Sequence, residues 1–336
     1  DLNRLGTLGF LPDYQRQPVS LALSLARAPG VDFTAGVNEP RIEVGQGARI
    51  LADPGARIAL TSDTQIIVNG AIDAPAGDIR LTLTKPASDD NEKGFDPAQA
   101  IWLGPQGRLL AGASFQSLPD GSGRGLRTGT MRDAGTVAIA AERGYFVADA
   151  GSVIDVSGVT RTLDVPQGLT VTPTTVNGAA GTIDLLAAEG MVLNGELRGA
   201  PGGGAGAAGG ALNIALDPAN RFTGTLKGGL QEYSTSSRDI VLSATQSVTP
   251  AVGDGVADTM NGDTLNNGIV RLDPGKVAAG GFDQVTLRAR SASLDPTEAR
   301  IVLEGDVQLA PAQRLVLDAP VLESDGGSAQ LSAAYI

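Results

Sequence analysis

The stretch that decides the fold is Gly135-Thr-Val-Ala-Ile-Ala-Ala-Glu-Arg-Gly-Tyr-Phe-Val147, because a related stretch follows it: Gly181-Thr-Ile-Asp-Leu-Leu-Ala-Ala-Glu-Gly-Met-Val-Leu193. Both share an initial Gly-Thr, a central Ala and a Gly before a hydrophobic triplet. A third, looser copy runs through Gly55–Leu60 and Ile66–Ile72. A second short strand pattern follows each triplet, so the unit is roughly 20 to 25 residues long, within the range of solenoid repeats.

Apolar and polar residues alternate strictly along much of the chain, as in Val19–Leu25, Ile79–Leu83 and Val285–Leu287. Alternation with period two is typical of a β-strand with one buried face. Asn-Gly turns separate many of these strands, but segments of roughly three to five residues are too short for hairpins to bury much surface. Single helical turns are predicted at three Asp-Pro pairs. These are Asp96-Pro97, Asp217-Pro218 and Asp295-Pro296.

A short repeat unit that contains several strands and little helix favours a parallel β-helix. A leucine-rich repeat would need a Leu-Asn/Cys ladder, and a propeller blade would need a unit of about 40 residues. In a β-helix each coil buries its inner side chains against the coils above and below it. At ~4.8 Å per coil, roughly 12 to 15 coils would make a rod of ~60–70 Å.

We therefore predict one all-β solenoid over residues 1–336, interrupted where the repeat pattern lapses. A solenoid tolerates such insertions because each coil contacts only its neighbours. Loop excursions are predicted at 85–100, 114–134, 160–180, 221–238 and 249–281.

The composition excludes several classes of function. The 336 residues include no Cys and no His, which rules out a disulfide framework, a zinc ribbon, a thiol nucleophile and a Ser-His-Asp triad. A net charge of −12 argues against nucleic acid and anionic lipid as partners. No apolar run reaches the roughly 18 residues of a membrane span, and no signal peptide is visible. The chain begins at Asp1 without Met, so we expect a piece of a longer protein.

Few residues are candidates for chemistry. Gly204–Gly209 has the spacing of a dinucleotide-binding loop, but a strand pattern follows it where a helix is required, which favours a turn between coils. Trp102 lies between two aliphatic residues, which favours a core or anchoring role over a sugar-stacking platform. The remaining candidates are polar side chains for which a solvated loop or strand face is the stronger interpretation. For calcium they are Asp89, Asp90, Glu92, Asp254, Asp258 and Asp263, and for polysaccharide cleavage they are Asp89, Asp90, Arg288 and Arg290.

Several phrases of the chain resemble those of large filamentous haemagglutinin-like exoproteins, the passengers of two-partner secretion. They are Gly144-Tyr-Phe-Val147 with Ala150–Gly158, Gly181-Thr-Ile-Asp-Leu-Leu-Ala187 and Gly280-Gly-Phe-Asp-Gln-Val-Thr-Leu287. The resemblance covers scattered coils from about residue 40 to residue 335. It implies a right-handed parallel β-helix, exported through a dedicated outer-membrane pore. The Asn-Pro-Asn-type motif of the secretion domain is missing, which implies an interior shaft fragment whose pore-binding part lies outside this sequence.

The resemblance further implies the shaft and presentation segment of a secreted adhesin at the bacterial cell surface. A host or neighbouring-cell receptor or glycan is the expected partner, contacted through 85–100, 221–238 and 249–281. Two alternatives stay open: the shaft of a contact-dependent toxin-delivery exoprotein, and a β-helical polysaccharide-degrading enzyme. We expect no enzymatic activity, no catalytic residues, no cofactor and no metal site.

Overall fold

The computed structural model describes residues 11–26, 40–84, 99–168, 170–203, 206–217, 237–249, 268–291 and 296–336. Short strands dominate these ranges. The N-terminal part contains β1 (Leu21–Leu25), β2 (Arg41–Val44), β3 (Arg49–Leu51), β4 (Arg57–Ser62), β5 (Gln65–Val68), β6 (Ala71–Asp73), β7 (Asp78–Leu83), β8 (Ala100–Leu103), β9 (Arg108–Leu110), β10 (Ser114–Leu118), β11 (Thr128–Arg132), β12 (Thr136–Ala141), β13 (Tyr145–Ala148) and β14 (Val153–Asp155).

The C-terminal part continues with strands of similar length and one α-helix. The strands are β15 (Thr160–Gln167), β16 (Thr170–Asn177), β17 (Thr182–Ala187), β18 (Gly190–Leu193), β19 (Glu196–Arg198), β20 (Ala211–Leu216), β21 (Arg238–Leu242), β22 (Ile269–Leu272), β23 (Gln284–Ala289), β24 (Ala299–Glu304), β25 (Val307–Leu309), β26 (Arg314–Asp318), β27 (Val321–Asp325) and β28 (Ala329–Leu331). The helix is α1 (Pro274–Gly280), and single 3₁₀ turns lie at Asp13–Gln15 and Pro296–Glu298.

The strands form three parallel faces, and the chain visits the faces in turn. Face 1 has the order β1-β4-β7-β12-β17-β20-β23-β26, and face 2 has the order β2-β5-β8-β13-β18-β22-β21-β24-β27. Face 3 has the order β3-β6-β9-β14-β19, after which α1 packs between β19 and β25, and β25 pairs with β28. Neighbouring strands within each face are parallel. This arrangement confirms the predicted all-β parallel β-helix.

The core is a set of rows that run along the axis of the stack. On face 1 the inward residues of successive coils are paired in register, and those of one row are fully buried. A single coil exposes half of each such contact, so the stacking of neighbours supplies the burial. The row consists of Ile58, Ile79, Val137, Ile183, Leu212, Val285 and Leu315.

The described residues contain fewer coils than predicted. Among the described residues face 1 holds eight strands and face 2 holds nine, so the stack is ~40 Å long at ~4.8 Å per strand. The predicted 12 to 15 coils exceed the number in the described residues because that figure did not subtract the insertions from the length of the chain. Two of these insertions are the antiparallel hairpins β10–β11 and β15–β16, which fall within the excursions expected at 114–134 and 160–180.

One coil departs from the regular path. β22 lies between β18 and β21 although β21 precedes it in the chain, so face 2 gains one strand there. In the same coil α1 replaces the strand of face 3, and a helix about 10 Å thick fills about two strand spacings. Faces 2 and 3 therefore lengthen together at this point.

The expectation that 249–281 is irregular throughout was wrong for its C-terminal part, which contains β22 and α1. Asp273 caps α1 by accepting from the Gly275 N–H at 2.8 Å, and Pro274 begins the helix. The helix ends at Gly281 in the left-handed conformation (φ 73°). Pro296–Glu298 is the single turn expected after Asp295, whereas the turns expected at Asp96-Pro97 and after Asp217 lie outside the described residues.

The repeats at 135–147 and 181–193 do not place Gly144 opposite Gly190, because the pairing of their second strands is shifted by one residue. Tyr145, rather than Gly144, lies opposite Gly190, and Phe146 lies opposite Met191. The corner before β13 is one residue longer than the corner before β18, and Gly144 absorbs the extra residue with a φ of 85°. Since a shift of one residue reverses the faces of a strand, Phe146 points into the bore and Tyr145 points outward.

The outward side of face 2 is also apolar and buried. Ile67, Trp102, Tyr145 and Val147 form a cluster separate from the bore, together with Ala100 and Val192, and all are at most 2 % exposed. Period-two alternation predicts one buried side only, so the sequence did not indicate this second cluster. Complete burial of Trp102 agrees with the anchoring role, because a sugar platform needs an exposed ring.

A buried cluster of charged residues connects β21 to the coil that contains β17 and β18. Glu189 and Arg238 are fully buried at the corner between faces 1 and 2. The carboxylate of Glu189 lies 3.1 Å from Nε of Arg143 and accepts from the Gly144 N–H at 3.1 Å. Arg238, the first residue of β21, donates from Nε to the carbonyl of Ala188 at 2.6 Å. Buried charges that are paired in this way fix one arrangement, since separating them would leave an uncompensated charge.

At the corner between faces 2 and 3, one position is occupied by Asn, Gly or Asp in successive coils. Asn69, Gly104, Asp149 and Asn194 each follow the last residue of a face 2 strand, and each donates its backbone N–H to the coil before it. A side chain at Gly104 would overlap the amide oxygen of Asn69, so that position requires glycine. Asp149 is 8 % exposed, its Oδ1 has no hydrogen-bond partner among the described residues, and burial raises its pKa to about 6.

Candidate functional site: two hairpins at one corner

The two antiparallel hairpins leave the stack at the same corner in consecutive coils. β10–β11 is inserted between β9 of face 3 and β12 of face 1, and β15–β16 is inserted between β14 and β17. The coils are one strand spacing apart, about 4.8 Å, so the hairpins emerge side by side. We call them together the arm.

The corner from which the arm emerges is closed in the same way in coils with and without a hairpin. In the coil without one, the N–H of Gly77 donates to the carbonyl of Ala74 at 2.9 Å. In the two coils that carry hairpins, Gly135 donates to Ala111 and Gly181 donates to Val156, both at 2.8 Å. Each hairpin is thus inserted between the two ends of a corner hydrogen bond that persists. The shaft is complete without the arm.

The tip of the first hairpin is organised around one carboxylate. Oδ1 of Asp120 accepts from the backbone N–H of Ser122 at 2.9 Å and from its hydroxyl at 2.6 Å, while Oδ2 accepts from the Leu126 N–H at 3.0 Å. These donors stabilise the ionised form, so they hold the pKa of Asp120 well below its usual range. Gly123 and Gly125 adopt left-handed φ values of 68° and 70° that let the loop turn.

The two hairpins are joined by Arg127 of the first and Asp164 of the second. Nη2 of Arg127 donates to Oδ1 of Asp164 at 2.7 Å, and Nε donates to Oδ2 at 3.1 Å, which is a bidentate pair. The backbones exchange contacts too: the Arg127 N–H donates to Oδ2 at 2.9 Å, and the Asp164 N–H donates to the Arg127 carbonyl at 2.9 Å. The hydrogen bonds from Arg127 lower the pKa of Asp164 to about 2.

A second contact holds the base of the arm. Oδ1 of Asp133, just after β11, accepts from the Ala179 N–H at 2.8 Å. The hydroxyl of Thr160 donates to the carbonyl of Gly203 at 3.0 Å, which links β15 to the following coil. The arm is therefore placed by hydrogen bonds at its base and by an ion pair along its length.

The arm offers an exposed, polar surface with a few apolar side chains. Thr162 and Thr175 lie opposite each other on β15 and β16, and both are exposed. Leu118 and Val165 are 37 % and 36 % exposed. Residues 114–134 and 160–180, which contain the hairpins, hold four Arg and three Asp, in contrast to the acidic balance of the whole chain. Of these groups, Arg is the residue type that is enriched in protein interfaces.

The sequence-predicted candidates fall into three groups. Arg288 and Arg290 are both engaged with Asp318 of the next coil at 2.9 Å, so they form part of a strand face. Gly206–Gly210 of the glycine-rich loop leads into β20, a strand, which is the outcome expected for a turn between coils. The acidic candidates at 89–92 and 254–263 lie outside the described residues. In the ranges that the structure covers, no group of three or more Asp or Glu side chains converges to hold a metal ion.

The excursions named for recognition are mostly outside the described residues. This applies to 85–98, 221–236 and 250–267. Residues 99–100 and 238 belong to the approach to β8 and to the start of β21, and the end of 249–281 belongs to the regular stack. The arm was predicted as two excursions but not as a recognition site. The signal was the interruption of the repeat near the same repeat position in two consecutive coils.

Comparison with known proteins adds no identification: no family model, no curated protein and no solved structure matches this chain. In the ranges that the structure covers, no helix has the length and apolar character that crossing a membrane requires.

Proposed function

We propose that this chain is the structural shaft and presentation segment of a secreted bacterial surface adhesin, and that the arm is one of its recognition elements. The observation that carries the proposal is the corner hydrogen bond, which persists in coils with and without a hairpin. A scaffold that is complete without its loops can vary those loops for binding while its fold stays intact.

The internal organisation of the arm supports the same proposal. A loop that only connects two strands needs no defined tip, whereas Asp120 orders the tip of the first hairpin and Arg127 fixes the second hairpin beside it. Ordering a surface in advance lowers the entropy that a partner must offset on binding. The partner we propose is a receptor or glycan on a host or neighbouring cell, and the location is the bacterial surface after export through a two-partner secretion pore.

The experiment compares the chain with an armless variant designed from its own corner. In this variant Ala111–Gly135 and Val156–Gly181 are each replaced by the four residues of the regular corner, Ala74–Gly77. The control variant, Arg57→Ser with Asp78→Ser, removes an exposed ion pair of face 1 (Nη2 to Oδ2, 3.1 Å) and leaves the arm intact. Beads coated with each protein are applied to cultured epithelial cells and to bacterial lawns, and bound beads are counted.

We expect attachment by the parent chain and by the control, and loss of attachment by the armless variant with an unchanged far-UV circular dichroism spectrum. Equal attachment of the armless variant would remove the arm from the proposal. No attachment by the parent chain to any cell, with release of reducing or unsaturated ends from a polysaccharide panel, would replace the adhesin by the enzyme.

A further inference from the structure

A cleft of about 540 Å³ lies between α1 and the residues around β25 on face 3. Its floor is apolar and comes from Val277 of the helix, Phe282 after it and Leu309 of β25, which are 3 %, 6 % and 2 % exposed. The volume falls in the range of sites for small organic molecules, about 300–1,000 Å³.

The cleft follows from the replacement of a strand by a helix. A strand in this place would pair with β25 through backbone hydrogen bonds and close the gap, as β25 itself pairs with β28. Most backbone N–H and C=O groups of a helix are used within the helix, so α1 does not extend the strand pairing of β25. On its other side the carbonyl of Gly280 accepts from the Gly199 N–H at 2.8 Å. The short side chains of Ala278 and Ala310 leave the space beside them open.

Two carboxylates stand at the rim of the cleft. Oδ1 of Asp273 is used by the Gly275 N–H, and Oδ1 of Asp306 is used by the Ser328 N–H and hydroxyl. No bond to Oδ2 of either residue occurs among the described residues. The cation of α1, Lys276, is directed elsewhere, because its Nζ donates to the carbonyl of Asn194 at 2.8 Å. The rim is therefore negative above an apolar floor.

We propose that this cleft binds small organic ammonium ions that carry an apolar group. The apolar group would lie against Val277, Phe282 and Leu309, and the ammonium would donate to the free oxygens of Asp273 and Asp306. Apolar burial supplies binding energy, and the two carboxylates that line the cleft supply the preference for a cation. This inference is independent of the proposed adhesin function, since the cleft lies on a different coil from the arm.

The test uses 2-phenylethylammonium as the probe, with 2-phenylethanol and phenylacetate as neutral and anionic comparisons. Each is titrated into the full chain at low salt with ¹³C-labelled Val, Leu and Ala methyl groups observed by NMR. Shifts of the Val277 and Leu309 methyl signals report the cleft, and those of Val137 in the distant bore report non-specific effects.

Two sets of variants separate the apolar and charged contributions. Asp273→Asn with Asp306→Asn removes both charges but keeps the cap and the Ser328 contact, because an Asn oxygen accepts as the Asp oxygen does. Ala278→Phe fills the cleft from an exposed position of α1, and Ala279→Phe places the same group on an exposed position that does not line it.

We expect saturable shifts at Val277 and Leu309 with the ammonium, about fivefold weaker binding of the alcohol, and a similar loss in the double Asn variant. Ala278→Phe should abolish binding and Ala279→Phe should preserve it. The proposal is overturned by equal binding of all three probes, by shifts that persist in Ala278→Phe, or by the absence of shifts at Val277 and Leu309.

Discussion

The shaft is built from parallel strands of three to six residues and the arm from antiparallel strands of five to eight, and the two are held together by different forces. In the shaft, parallel strands stack apolar rows that are fully buried, such as the row through Ile79 and Val137. In the arm, antiparallel strands are largely exposed, and one bidentate ion pair between Arg127 and Asp164 joins the hairpins. The buried apolar rows of the shaft therefore set the fold. The corner between faces 3 and 1 accommodates the arm, whose own contacts are polar and local.

The largest difference should come from removing a side chain from a buried row. Leu81→Ala in β7 empties a fully buried site between Leu60 and Ile139, and we expect it to destabilise the protein by about 3 kcal/mol. Val165→Ala on the arm removes a partly exposed side chain and should cost less than about 1 kcal/mol. Urea denaturation followed by circular dichroism measures both. Equal losses would mean that shaft and arm form one cooperative core.

The second effect concerns the buried carboxylate of Asp149, whose Oδ1 has no hydrogen-bond partner in the part of the chain that the structure describes. Because burial raises the pKa of Asp149 to about 6, its ionised form is disfavoured in the folded state. The resulting loss of stability is complete above about pH 6 and absent below its ordinary value near 4. Asp149→Asn should therefore stabilise the protein by roughly 1–3 kcal/mol at pH 7 and leave it nearly unchanged at about pH 3.

The matched change on the arm is Asp133→Asn, which keeps the acceptor for the Ala179 N–H and removes an exposed charge. We expect no stabilisation from it at either pH. A gain from Asp133→Asn as large as that from Asp149→Asn would show that a general reduction of negative charge, rather than burial, is responsible.

A smaller and local effect is expected when the Arg127–Asp164 pair that joins the two hairpins is removed. Arg127→Ala leaves the rows intact, so the free energy of unfolding should change by less than about 1 kcal/mol. Amide hydrogen exchange across β15 and β16 should become faster, because those strands lose the contact that holds them beside the first hairpin. Arg124→Ala, at the tip of the same hairpin, serves as the control. Unchanged exchange in β15 and β16 would contradict the role of the pair.

The smallest effect is the loss of the Arg127–Asp164 pair at low pH. The lowered pKa of Asp164, about 2, means that the pair contributes fully above the ordinary value near 4 and is lost as the pH falls through about 2. The amide proton signals of Arg127 and Asp164 should titrate with a midpoint near 2 in the parent chain. In Arg127→Ala the midpoint at Asp164 should move toward 4. A midpoint near 4 in both proteins would show that the pair does not form.

The regular part of the shaft could be predicted because its physical cause is local in the sequence. The alternation in Ile79–Leu83 marks the inward residues of β7, and the repeated Gly-Thr, in which Thr136 pairs with Thr182, marks the start of the face 1 strand in successive coils. Stacking then follows, since a strand with one apolar side and no hairpin partner must bury that side against another coil.

The remaining features depend on contacts between distant residues. The second apolar cluster around Trp102 and Tyr145 occupies positions that alternation assigns to solvent. The order of β21 and β22 is tied to Arg238 and Glu189, which no sequence spacing relates. Helix α1 is an exception, because Asp273-Pro274 and Gly281 are local signals for its two ends, but the prediction did not include them. The arm was predicted as two interruptions of the repeat. The Arg127–Asp164 pair could not be predicted, because it forms only once the fold has brought the two hairpins together.

The most direct test of the parallel stack is a cysteine cross-link, since the chain contains no Cys of its own. Thr82 and Ala140 are paired on the outward side of face 1 in adjacent coils, at a spacing that permits a disulfide. Thr82→Cys with Ala140→Cys should oxidise to an intramolecular disulfide, detected by peptide mass spectrometry. The control, Thr82→Cys with Ala138→Cys, is displaced by two residues and should stay reduced. A cross-link in the control, or none in the paired variant, would contradict the stacking and register described here.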